Sequence, residues 1–161
     1  MGRLVPIALT LLATAMSGCG GSDDGDGEGE PAIPGGADPE AARVIDEWSS
    51  ALRRGDVDAA AEYFEVPSVV QNGTPPLPLE SRADVIAFNE ALPCGAELVE
   101  AEPEGRYTIA TFELTERPGP GNCGSGTGEA ARTAFVVEDG LIREWRRVPS
   151  EALPAPDAPV V

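Results

Sequence analysis

The sequence predicts an α+β domain in which three helices pack on the concave face of a curved antiparallel sheet. Three observations carry this. Between residues 39 and 92 apolar side chains recur at the 3.6-residue helical period. From residue 96 to 148 they alternate instead, as half-buried strands do. Asp139-Gly140, set between two alternating runs, is a strong hairpin signal. Helices followed by a run of hairpin-connected strands is the element order of the α+β class.

Asp38-Pro39 supplies an N-cap and a proline at the first helical position. Over 39–54, Val44, Ile45, Trp48, Ala51 and Leu52 then fall on one stripe, and Gly55 suits the stop. Asp56 can cap a second, short helix with Val57, Ala60, Ala61 and Phe64 inward. Ser68–Gln71 reads as a short strand, Asn72-Gly73 as a turn and Thr74-Pro75-Pro76 as a loop. Ser81-Arg82-Ala83-Asp84 opens a third helix in capping-box style, with Val85, Phe88 and Leu92 at helical spacing and Pro93 ending it. Ala96–Ala101, Arg106–Glu116, Glu129–Glu138 and Leu141–Val148 are the four alternating strands.

Residues 1–18 have the form of an export signal: Arg3, a mostly apolar run from Leu4 to Met16, then Ser17-Gly18. The run falls short of the roughly 18–20 apolar residues a spanning helix needs. Residues 19–37 follow as an acidic, Gly- and Pro-rich tether too poor in apolar side chains to fold, residues 38–150 as the domain, and residues 151–161 as a Pro-rich tail.

The charge excludes several functions. Acids number 28 against 11 arginines, with no lysine and no histidine, for a net charge of −17. No imidazole base, histidine-ligated metal or lysine Schiff base can exist, so neither cofactor nor metal is expected. Nucleic acid is not an expected partner, because a polyanion repels the phosphate backbone. Much of the acidity sits in the tether: residues 20–40 hold seven acids and no base.

Of three cysteines, Cys94 lies just beyond the third helix and Cys123 in the Gly-rich segment PGPGNCGSGTG. In an exported domain they most simply form a disulfide. A redox or metal role is the alternative, although there is no CxxC spacing.

Met16-Ser17-Gly18-Cys19 resembles the lipobox of bacterial lipoproteins. The resemblance implies that Cys19 becomes the lipid-bearing first residue of the mature chain, anchored to the cell membrane on its extracytoplasmic side. Plain secretion is the rival. The segments VIDEWSSALRRGDVDAAAEYF, VVQNG…PLPLESRADVIAF and VVEDGLIREWRRV, in that order, resemble the NTF2-like (SnoaL-like) superfamily. That implies a cone with a pocket between helices and sheet, and a short strand pair besides the four long strands.

Glu62-Tyr63-Phe64, Gln71-Asn72, Leu77-Pro78 and Gly140…Trp145-Arg146 bring it nearest to the limonene-epoxide hydrolase branch. In that branch a pocket Tyr, Asn, Arg and two Asp orient a water and protonate the epoxide. The matching positions here hold Val70, Asn72, Thr111, Glu113 and Arg147, so only Asn72 is identical and Arg147 reverses a needed negative charge. The register of this alignment points Tyr107, Ile109, Thr111 and Glu113 inward on one strand. Ala131, Thr133, Phe135 and Val137 follow on the next, and Leu141, Arg143, Trp145 and Arg147 on the last.

The expected ligand-binding set is therefore Trp48, Tyr63, Asn72, Phe88, Tyr107, Thr111, Phe135, Trp145 and Arg147, with Glu113 as the candidate acid or base. The functional expectation is an anchored domain that binds a small apolar ligand, or a partner, without chemistry. Two alternatives stand beside it. One is an enzyme of the isomerase or hydrolase kind using Glu113; the other is an interaction module that forms a homodimer through the outer sheet face. A Glu113–Arg147 ion pair at the rim is expected if the sheet is merely core.

Overall fold

The computed structural model describes residues 33–149; the export signal, Cys19, most of the tether and the tail lie outside the described residues. The chain divides into two units, Met1–Glu30 and Pro31–Val161, and the described elements all belong to the second. Among the described residues no helix is long and apolar enough to cross a membrane.

Helix α1 (Pro39–Arg53) starts where the Asp38 carboxylate accepts the amides of Glu40 and Ala41, both at 3.0 Å. Its predicted stripe is buried. Helix α2 (Val57–Glu62) is capped by Asp56, and α3 (Arg82–Ala91) by the expected reciprocal pair Ser81 and Asp84. Phe64 is inward as expected, but it opens strand β1 (Phe64–Gln71) rather than closing α2. The short pair is completed by β2 (Leu77–Leu79), and the long strands are β3 (Gly95–Glu104), β4 (Tyr107–Thr115), β5 (Ala130–Glu138) and β6 (Leu141–Val148).

These six strands form one sheet in the order β2-β1-β6-β5-β4-β3. The sheet is mixed, not purely antiparallel, because β1 runs parallel to β6. β2, α3, β3, β4 and β5 intervene between β1 and β6, so β1 can join β6 in either sense; only a hairpin would have forced antiparallel pairing. The predicted hairpin turn is present, with φ of 52° at Asp139 and 74° at Gly140, as a type I′ turn requires.

Part of the expected tether belongs to the domain. The Pro34 carbonyl accepts the Ala101 amide at 2.8 Å, and the Ala37 amide donates to the Ala101 carbonyl at 3.1 Å. Gly35 makes this approach possible: a Cβ there would stand 2.2 Å from the Ala101 oxygen. The segment thereby occupies unpaired groups on the free edge of β3.

The core centres on Trp48. Its ring meets Phe64, Phe112 and Phe135 edge-on at 6.2, 6.2 and 5.6 Å, and its indole N–H donates to Asn89 Oδ1 at 2.9 Å. Asn89 Nδ2 in turn donates to the Val85 carbonyl at 2.9 Å. Arg117 is buried just past β4 and closes the end of α3. It donates to the carbonyls of Asn89 and Glu90 at 3.0 Å and to that of Leu92 at 2.7 Å, satisfying acceptors the helix leaves open. Burial holds its guanidinium below the ordinary arginine value, against the pull of the Glu90 carboxylate.

The outer sheet face is knitted by charge. Arg106 and Arg146 both pair with Glu144, and Arg146 also donates to Gln71 Oε1 at 2.7 Å. Among the described residues the exposed large apolar side chains are Val66, Leu77 and Val99, on the outermost strands and in the β1 irregularity. Burial opposes ionisation of Glu144, but hydrogen bonds from Arg146 and Arg106 outweigh it and hold the carboxyl below the ordinary carboxylate value.

Two outcomes follow from these contacts. Trp48→Phe keeps the ring packing but leaves Asn89 Oδ1 buried without its donor, and should lower unfolding free energy by about 1–3 kcal/mol in urea titrations. Glu144→Gln tests the outer network. A depressed folded-state pKa contributes stability above the ordinary carboxylate range, and that contribution is lost as pH falls through the folded-state value. Glu144→Gln should therefore melt below wild type at pH 7, and the two melting curves should converge on acidification.

Candidate functional site

Strand alternation and two one-residue bulges decide what faces the helices. On β5 the expected set Ala131, Thr133, Phe135 and Val137 does point inward: Phe135 and Val137 join the core and the other two line a cavity. Ladder partners share a face, so Phe112 opposite Ala131 and Ala110 opposite Thr133 point inward from β4. The expected inward set on β4 is thus the wrong parity. Tyr107, Ile109, Thr111 and Glu113 face outward, with Glu113 exposed and opposite Glu97 of β3. The slip has a physical source: Ile109 is buried on the outer face as well, so the start of β4 is apolar on both sides and does not announce its register.

On β6 the last two inward residues are as expected. Trp145 sits opposite Phe135, and Arg147 opposite Thr133. Between Glu144 and Ile142 the strand carries one extra residue, Arg143, which flips the parity before it. Ile142 rather than Leu141 therefore enters the core, and Arg143 pairs outside with Glu65 and Glu138.

Under the helices lies a cavity of about 280 Å³. Its deep wall is Trp48 and Leu52 from α1, Phe112 from β4 and Trp145 from β6; its mouth carries Asn72 and Arg147. The remaining wall is Leu92, Pro93, Cys94, Ala96, Leu114, Gly126, Ala131 and Thr133. The expected disulfide is present: Cys94 and Cys123 are bonded at 2.03 Å, and the bridge forms part of this wall. A Cβ on Gly126 would lie 3.3 and 3.5 Å from the two sulfurs, so the 124–126 turn rests directly on the bridge. The Glu116 carboxylate holds the same turn by accepting from the Gly124 amide at 3.1 Å and Thr127 Oγ1 at 3.0 Å.

The cavity gathers four of the expected ligand-binding residues, Trp48, Asn72, Trp145 and Arg147. Phe135 is wholly buried behind the cavity wall, and Phe88 stacks edge-on against Trp145 at 5.2 Å without lining the space. Tyr63 caps the end of α2, where burial, reinforced by the Glu47 carboxylate, raises its hydroxyl above the ordinary tyrosine value. Tyr107 and Thr111 are on the outer face, where the Arg106 guanidinium stacks 4.9 Å from the Tyr107 ring. The expected Glu113–Arg147 pair cannot form, since the two side chains leave opposite faces of the sheet.

The sequence reading missed Leu52, Leu92, Phe112 and Leu114 as lining residues. Phe112-Glu113-Leu114 was the signal that could have found the last two, because there the alternation is unambiguous.

Chemically, the lining is apolar apart from the indoles, Asn72, Thr133 and Arg147. Among the described residues it includes no carboxylate, no tyrosine and no free thiol. Arg54, Arg132 and Arg147 are the described arginines whose side chains make no ion pair or hydrogen bond to another described residue, and of these only Arg147 lines the cavity. No group of three or more potential metal ligands occurs among the described residues.

No protein-family model and no curated protein matches the chain. Solved structures do. A protein from Kribbella flavida assigned as a ketosteroid isomerase is 15% identical, with 73% of this chain and 83% of that chain covered at a TM-score of 0.52. An NTF2-like protein of unknown function from Cytophaga hutchinsonii is 15% identical, covering 66% and 88% at 0.51. Another such protein, from Burkholderia xenovorans, is 15% identical, covering 73% and 88% at 0.52. At these identities the likeness is one of fold. Three helices on a six-stranded curved sheet, closing over one apolar cavity, give this chain the NTF2-like fold.

Proposed function

We propose that this domain binds, without transforming it, a small apolar ligand that carries an acidic group. The observation that carries the reading is the lining itself: an apolar cavity with one cation, Arg147, whose side chain is unpaired among the described residues, and no described group able to exchange a proton near neutral pH. Apolar walls supply affinity, and a few placed polar groups supply orientation. Acid–base catalysis through Glu113 does not follow, because its carboxylate is exposed on the far side of the sheet from the cavity. We further propose that the domain works outside the cytoplasm, tethered by lipid on Cys19. This rests on the export signal and the lipobox-like Met16-Ser17-Gly18-Cys19. More than one acyl chain there would hold the domain firmly, at about 0.8 kcal/mol for each buried methylene.

Both tryptophans of the chain line the cavity, so intrinsic fluorescence reports its occupancy. Octanoate should shift the emission saturably, and methyl octanoate should bind about tenfold more weakly. Arg147→Gln should erase that difference while leaving the ester's affinity unchanged. Binding of neither compound, or equal binding of both by wild type, overturns the reading of the cavity. The anchor is tested apart: Cys19→Ala should abolish palmitate labelling and release the chain from the membrane fraction. A variant that stays labelled and membrane-bound sinks the anchor.

A further inference from the structure

The chain has three asparagines, Asn72, Asn89 and Asn122, and their surroundings differ. Asn89 is buried in α3 with both ends of its amide engaged, by the Trp48 indole and the Val85 carbonyl. Asn122 precedes Cys123, whose amide donates to the Glu116 carboxylate at 3.4 Å and whose side chain is bridged to Cys94. Asn72 is followed by glycine, and both residues are exposed. Among the described residues neither the Asn72 carboxamide nor the Gly73 amide makes a hydrogen bond. A Cβ on Gly73 would meet nothing within 4 Å, so the turn has room to rearrange.

This turn stands at the cavity mouth. β1 runs parallel to β6 with Gln71 opposite Arg146, so the next residues along, Asn72 and Arg147, come side by side, and both line the cavity. Neighbouring strands are about 5 Å apart, within reach of an arginine side chain.

We infer that Asn72 is a self-modification site, where the chain converts a neutral amide at the cavity mouth into a carboxylate that pairs with Arg147. The Gly73 amide nitrogen attacks Asn72 Cγ. A bond forms between them, the Cγ–Nδ2 bond breaks, and ammonia leaves with the Gly73 amide proton. Water then opens the resulting succinimide at either carbonyl, giving aspartate or isoaspartate. The balance is one water consumed and one ammonia released, with no oxidant and no enzyme. Either product adds one negative charge beside Arg147. Resting on the reading of the cavity as a site for an apolar acid, the cavity is open to anions in a new chain and closes to them as the chain ages.

The test incubates the full chain at pH 8 and maps isoaspartate by peptide mass spectrometry. Isoaspartate should accumulate at residue 72, faster than at pH 6 because the attacking nitrogen must lose its proton, while Asn89 and Asn122 stay intact. Absence of isoaspartate at 72, or equal conversion at all three asparagines, overturns the inference and leaves the cavity reading standing. The consequence is read as the ratio of octanoate to methyl octanoate affinity, because Asn72 lines the cavity and a change there moves both. In Asn72→Asp the preference of about tenfold for the acid should fall to parity or below. Incubated wild type should drift toward that ratio. Asn72→Gln, compared with itself before and after incubation, should not, since its longer side chain closes the ring far more slowly. A preference for the acid that survives in Asn72→Asp overturns the closing of the cavity. Binding of neither compound removes the cavity reading and the closing together, while the isoaspartate map still decides the modification.

Discussion

An indole N–H carried into an apolar core must meet an acceptor, and the one that Trp48 meets ties the domain together. Asn89 receives it, returns its own amide to Val85 on the same helix, and lends its backbone carbonyl to Arg117. Three parts of the chain far apart in sequence, α1, α3 and the exit from β4, are thereby fixed to one another through a single buried asparagine. Each bond here also satisfies a group that burial would otherwise leave costly, which is why the arrangement specifies a geometry as well as stabilising it. The edge-on contacts of Trp48 with Phe64, Phe112 and Phe135 then set the sheet at its distance from α1.

The cavity is a consequence of that fixation. Leu92, Pro93 and Cys94 leave the clamped end of α3 in direct succession, and all three line the space. The bridge from Cys94 to Cys123 then brings the Gly-rich loop back over the wall, enclosing 29 residues of separation. In the loop-entropy description a bridge of that span stabilises by about 3–4 kcal/mol. Glu116 adds the polar half of the same attachment. The wall around the disulfide is accordingly held from two sides, by Arg117 on α3 and by Glu116 on the loop.

Much of the fold was legible because local signals agreed with global ones: the Asp38, Asp56 and Ser81 caps, the α1 stripe, the Asp139-Gly140 turn and the disulfide all stood in the sequence as they stand in the structure. What was illegible has two physical causes. One is parity. A bulge at Arg143 and another at Val99 each shift a register by one residue, and the outer burial of Ile109 blurs the alternation that would fix β4. Assigning Glu113 and Thr111 to the cavity followed from that one-residue slip. The other is long-range polar chemistry. Nothing near Arg117 in sequence shows that its acceptors are carbonyls 25 to 28 residues earlier, because only the closed fold brings them together.

The placement of charge bears on what can enter. The chain is strongly acidic overall, and an anion approaching it meets a repulsive field. At physiological salt that field is screened over about 8 Å, so its effect is on encounter, while the bound state answers to the groups in contact. No described acid lines the cavity. On the function proposed above, an acid that reaches the mouth leaves the repulsive surface for apolar walls and a guanidinium unpaired among the described residues. A neutral apolar compound would gain the same walls without the guanidinium, and a cation would gain the surface field only to face Arg147 at the entrance. On that proposal, the combination favours an amphipathic anion over both, because no described carboxylate lines the cavity of a protein that is otherwise rich in them.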